Sequence, residues 1–175
     1  LRLPRLQQRS EPGIVAEDVV ALPAEATSAD PGDVTTRTAS PDDLALLAKL
    51  DAVAFPPRWH FGERDLFTLL LGGTIRLAFA GDRLAGYWAQ TQTANQEAHL
   101  ARLAVAPALQ GRGLGRFLLA DAIAYARSER YQSILLNTQT DNARALGLYR
   151  SFGFRPTGRI VPILTRTSSQ IDRAK

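Results

Sequence analysis

The densest chemistry in this chain lies in Val105-Ala106-Pro107-Ala108-Leu109-Gln110-Gly111-Arg112-Gly113-Leu114-Gly115-Arg116, an apolar run, a glycine-rich turn and the start of an amphipathic pattern. That junction is suited to an anion. The first amides of a helix have no intrahelical acceptors, glycines let the backbone approach a ligand closely, and the helix dipole is positive at that end. Arg112 and Arg116 add flanking charge. Each dipole interaction contributes about 0.3 to 2 kcal/mol, so several aligned amides with an arginine can hold a pyrophosphate. Two other phosphate-binding classes fall away. The only lysines are Lys49 and Lys175, so no Gly-x-x-x-x-Gly-Lys loop exists, and the dinucleotide fingerprint Gly-x-Gly-x-x-Gly fails where Arg116 replaces its third glycine.

The surrounding elements must deliver that turn. Ser40-Pro41-Asp42-Asp43 reads as a helix start, with Leu44, Leu47, Leu50 and Ala54 along one face until Phe55-Pro56-Pro57 ends it. Arg58, Trp59 and His60 then form a short loop before a second helix over 63–71, closed by Gly72-Gly73. Strands are expected over 75–79 and 84–92 around the tight turn Gly81-Asp82, and again over 98–105. A long helix runs from Leu114 to Ser128, with Leu114, Phe117, Leu118, Ala122 and Tyr125 on one face. A buried strand over 133–138, a short helix capped by Asp141 or Asn142 and stopped by Gly153, and strands over 155–159 and 161–165 complete the chain. The order ααβββαβαββ implies an α/β or α+β fold with a mixed sheet flanked by helices.

Gln110-x-x-Gly113-x-Gly115, preceded by Leu103-Ala104-Val105 and followed by Asn142, Leu148-Tyr149 and Phe152-Gly153-Phe154, resembles the GNAT superfamily of acyl-coenzyme A N-acetyltransferases. The resemblance covers 34–167. It implies a mostly antiparallel central sheet and acetyl-coenzyme A as cofactor. By resemblance, Gln110 and the amides of Gly111, Arg112, Gly113, Leu114, Gly115 and Arg116 bind the pyrophosphate. The backbone of Leu103, Ala104 and Val105 pairs with the pantetheine like an added strand, Asn142 touches the pantetheine arm, and Tyr149 points its hydroxyl at the sulfur. A thiol pKa near about 8.5 makes a departing thiolate only moderately stable, so a proton donor such as Tyr149 assists it.

The base is a more open matter. Bacterial ribosomal-protein alanine N-acetyltransferases, which the Phe55-Pro56 pair also resembles, carry a glutamate where this chain has Asn137. A neutral amide cannot take the proton. Glu97 and His99 are the substitutes, acting directly or through water, and strand alternation places both on one face with Ala101, Leu103 and Val105. Trp59 and His60 are expected to admit the acceptor, a protein N-terminus or a small amine.

Composition bounds the rest. The chain has 175 residues, no cysteine, and two histidines, His60 and His99, so disulfides, an acyl-cysteine intermediate and Cys/His zinc sites are excluded, and no metal is expected. No apolar run reaches the 18 or more residues of a membrane span, so no membrane partner and a cytoplasmic location are expected. The net charge of +4 is dispersed over arginines, which gives no footprint for nucleic acid. Residues 1–33 are acidic on balance and hold Pro4, Pro12, Pro23 and Pro31; they read as a tail or linker, with a packed arm as the alternative. Residues 168–175 read as a second tail. Methionine is absent even at position 1, so the natural start is expected upstream. A monomer or homodimer is expected. The competing function is a coenzyme A-binding regulatory module without transfer chemistry, for which Asn137 speaks and against which Tyr149 speaks.

Overall fold

A computed structural model of the protein describes residues 14–19, 32–93 and 96–161. Strand β1 spans Ile14–Val19 and β2 Val34–Thr38; helices α1 (Leu44–Ala54) and α2 (Glu63–Gly72) follow. Then come β3 (Gly73–Ala80), β4 (Arg83–Gln92), β5 (Glu97–Val105), α3 (Leu114–Ser128), β6 (Ser133–Gln139), α4 (Ala143–Ser151) and β7 (Arg155–Val161). From α1 to β7 the order matches the expected one. Two strands precede it, and the strand expected over 161–165 lies outside the described residues beyond Val161.

The seven strands form one sheet in the order β2-β3-β4-β5-β6-β1-β7, antiparallel throughout except for the parallel pair β5 and β6. Part of the segment read as a tail or linker is therefore strand β1, which pairs with β6 on one edge and β7 on the other. Backbone pairing on two edges holds it there, and composition does not report such pairing.

The sheet is covered on both faces, for reasons the apolar spacing supplies. On one face α3 buries Leu114, Leu118, Ala122 and Ala126, four positions apart, against Trp88, Ala98, Leu100, Ile134 and Leu136. On the other, Leu47 and Leu50 of α1 and Leu66 of α2 pack on Ile75, Leu77, Tyr87, Ala89 and Ala104. Gly86 lets the layers meet: a Cβ there would lie 2.6 Å from the Ala104 carbonyl oxygen and 2.7 Å from Leu118 Cδ1. Among the described residues, no helix is long and apolar enough to cross a membrane.

Candidate functional site

The site opens where two strands part. β5 and β6 pair in parallel from Glu97 opposite Ser133 to Leu100 opposite Leu136, and then separate. At that point β5 carries an extra residue: Gln90 of β4 faces Leu100, Ala89 faces Arg102, and Ala101 is left unpaired as a β-bulge. Beyond it, the edge of β5 that faces away from β4 has no strand partner among the described residues. Ala106 N donates to Ala85 O at 2.8 Å, so the hydrogen-bonded pairs with β4 fall on even-numbered residues there, and Leu103 and Val105 turn their backbone polar groups to the open edge.

The bulge also changes which side chains share a face, correcting the alternation expected for this strand. Before it, Ala98 and Leu100 enter the α3-side core; after it, Leu103 and Val105 do. Glu97 and His99 therefore share their face with Arg102 and Ala104, not with Leu103 and Val105. An inserted residue shifts a period-two pattern by one.

At the end of the open edge the chain turns through Gly111 (φ +80°) and Gly113 (φ +88°) into α3. Both angles lie in the left-handed region that glycine adopts without steric cost. The first intrahelical donor of α3 is Phe117, to Gly113 O at 3.0 Å, which leaves the amides of Leu114, Gly115 and Arg116 ahead of it without helical acceptors. Arg116 donates to Ser151 Oγ at 2.9 Å and stacks on Phe152. Asn142 caps α4, its Oδ1 accepting from Ala145 N at 3.1 Å.

A cavity of about 640 Å³ joins these parts. Its wall includes Trp59, Leu103, Ala104, Val105, Gln110, Gly111, Gly113, Gly115, Arg116, Asn142 and Tyr149, all expected from sequence, together with Arg58, Arg102, Asn137, Asp141 and Arg144. Tyr149 is 7% exposed and its ring lies 5.7 Å from that of Phe154. Arg112, Leu114 and His60 are not on this wall; Leu114 is in the core, and Arg112 and His60 are exposed.

The two candidate bases sit differently. Glu97 lies at the far end of β5 from the open edge, its carboxylate accepting from Ser133 Oγ at 3.2 Å and Thr93 Oγ1 at 3.4 Å. His99 lies one residue from the wall, with Nε2 3.2 Å from Nδ2 of Asn137, itself a wall residue. Burial holds the imidazole below its ordinary pKa of 6.5.

Sequence reasoning missed the cluster that fixes the loop between α1 and α2. Asp51, fully buried, accepts from Arg102 Nε at 2.8 Å and Nη2 at 2.6 Å, from Tyr87 Oη at 2.5 Å and from Phe61 N at 2.5 Å. Arg102 also donates to Trp59 O at 2.6 Å, its guanidinium 3.5 Å from the ring centroid of Phe55 and 4.0 Å from that of Phe61. Burial, then the Asp51 charge, raises Tyr87 far above the ordinary phenol range, so it stays a donor. A signal was present: Asp51 falls four residues after Leu47 on the apolar stripe of α1, where a carboxylate requires a buried partner.

The residues present suit a long acyl carrier with a diphosphate: an open strand edge for amides, unpaired helix amides and two left-handed glycines for phosphate, and a phenol on the wall of the same cavity. Comparison with known proteins agrees. The chain is 40% identical over 106 residues to N-alpha-acetyltransferase RimI of Mycobacterium tuberculosis, covering 61% of this chain and 58% of that protein. It is 38% identical over 80 residues to a mycothiol acetyltransferase of Jonesia denitrificans, covering 45% of this chain and 26% of the relative. The chain thus spans less than two thirds of either curated relative. A Bacillus subtilis acetyltransferase solved in complex with CoA superposes with a TM-score of 0.58 at 29% identity, over 70% of this chain and 75% of that one. Residues 44–154 match the acetyltransferase (GNAT) family, and the chain belongs to it.

Proposed function

We propose that the protein transfers the acetyl group of acetyl-CoA to a primary amine by direct attack. The observation that carries this reading is the unpaired edge of β5 running into the free amides of α3, with Tyr149 on the wall of the same cavity. In this reading the backbone of Leu103 and Val105 pairs with the pantetheine amides, and the amides from Gly111 to Arg116 hold the diphosphate. Bound acetyl-CoA supplies an acetyl thioester. The Tyr149 hydroxyl holds the proton that the departing sulfur receives. The acceptor enters between Trp59 and Asn137, and the fastened loop between α1 and α2 shapes its entrance.

His99 serves as the base in preference to Glu97, because its ring nitrogen faces a wall residue whereas the Glu97 carboxylate is engaged by Ser133 and Thr93. A water or amine that displaces Asn137 meets a neutral imidazole. Because burial lowers the His99 pKa below 6.5, kcat is expected to rise with pH along an acid limb with an apparent pKa below that value. The stability term has the same sign: the folded state resists protonation, so the contribution is intact above about pH 6.5 and is lost as pH falls through the folded pKa. His99→Gln is expected to abolish the acid limb, measured as kcat between pH 5 and 8 at about those bounds. An unchanged limb would assign the base elsewhere.

The test of the activity itself pairs a thermal shift with CoA and a thiol-release assay with acetyl-CoA. The amine panel contains an alanine-starting peptide and small amines. A raised melting temperature and amine-dependent release of CoA are expected. Binding without turnover on any amine favours the regulatory CoA-binding module; an unmoved melting curve removes both readings.

A further inference from the structure

The start of α4 presents a cation that neither the phosphate turn nor the mechanism above uses. Arg144 lies in the first turn of α4 and reaches across to the phosphate turn, donating from Nη1 to Gln110 Oε1 at 2.8 Å. Its Nη2 lies 3.5 Å from the position a Cβ on Gly111 would take, so the guanidinium rests over the backbone of the turn itself. Gln110 in turn donates from Nε2 to Val105 O at 3.1 Å, on the open edge of β5. The result is a chain of contacts from Arg144 through Gln110 to Val105.

The Arg144 end of this chain carries a charge that no anion matches among the described residues. A cation near a helix N-terminus opposes the helix dipole, and the hydrogen-bond partner of Arg144 among the described residues is a neutral amide oxygen. Among the described residues no ion pair joins it to a carboxylate, including Asp141, the acid that shares its wall. Gly115 and Arg116, whose amides have no helical acceptor, lie on the same wall, so positive potential converges there. Guanidinium and phosphate pair through a charged, forked contact, stronger than a neutral amide acceptor.

Resting on the acetyl-CoA reading, we propose that Arg144 is a diphosphate ligand. Its departure from Gln110 when that anion binds loosens the Gln110 contact with Val105 O and frees this carbonyl for the pantetheine arm. Diphosphate recognition and uncapping of the strand edge are thereby coupled in one side-chain relay.

Calorimetry with CoA and with dephospho-CoA, which lacks the 3′-phosphate but keeps the diphosphate, tests the first half. Arg144→Ala is expected to weaken both by the same factor, about tenfold or more, without moving the melting temperature of the unliganded protein. The shift in melting temperature produced by millimolar pantetheine, which has no phosphate, is expected to survive in that variant. A loss below twofold for CoA, a loss confined to CoA and absent for dephospho-CoA, or an equal loss for pantetheine each overturns the assignment. Gln110→Ala tests the second half: with the Val105 carbonyl uncapped, pantetheine should give a larger shift than with the wild type, and an equal or smaller shift overturns the relay. Failure of the wild type to bind CoA at all would remove the acetyl-CoA reading and this inference together, whereas the outcomes above remove only the inference.

Discussion

Tyr149→Phe is expected to lower kcat by about 10² to 10⁴ while the Kd for CoA stays within about twofold. The ring is 7% exposed and packs at 5.7 Å from Phe154, and phenylalanine keeps that packing while losing only the hydroxyl. On the proposed reading, what is lost is a proton donor for a leaving thiolate whose conjugate acid has a pKa of about 8.5. The deficit should therefore shrink when the acetyl donor carries a more acidic thiol, since that thiolate leaves without help. Thiol release measured with acetyl-CoA and with an activated aryl thioester separates this from a general loss of fit. Equal deficits with both donors, or a kcat within twofold of the wild type, would remove Tyr149 from proton transfer.

The second large effect concerns stability. Asp51→Ala removes the carboxylate that four donors share and leaves the Arg102 guanidinium buried between Phe55 and Phe61 without its anion. Removing one partner of such a pair costs about 3 to 5 kcal/mol, against a total stability of about 5 to 15 kcal/mol for a domain. A marked fall in the urea midpoint is the expected result. The double variant Asp51→Leu, Arg102→Met leaves no charge in this cluster and should recover part of that loss. Its loop between α1 and α2 still lacks the contact to Trp59 O, so the acceptor KM should remain high while CoA binding recovers. A single variant as stable as the wild type would show that the cluster is not what holds the loop.

Much of the architecture was legible because its signals are local. Ser40 and Asp43 announce a helix start by sequence, and the structure forms a 3-10 turn over Pro41–Asp43 with Ser40 N donating to Asp43 at 2.8 Å. Gly81-Asp82 makes the two-residue turn between β3 and β4, and the four-residue spacing of Leu114, Leu118 and Ala122 is the buried stripe of α3. Arg144 escaped notice because an arginine in a short polar helix start looks solvated until its neighbour in space is known. Arg102 escaped for the same reason, although Asp51 on an apolar stripe was a legible clue.

By itself, the sequence determined the glycine turn before α3 and the helices that flank the sheet, since dihedral preference, capping and apolar period act over a few residues, while Leu103, Val105, Gln110, Asn142 and Tyr149 were marked by resemblance to the family. Tertiary structure alone decided the parity of β5, the place of β1 between β6 and β7, and the choice between Glu97 and His99 as neighbour of the wall. Those depend on which strand lies alongside and where pairing stops: the bulge at Ala101 shifts the register against β4 just where the pairing with β6 ends, after Leu100. Hydrogen bonds between distant segments set such registers, and no single stretch of chain records them.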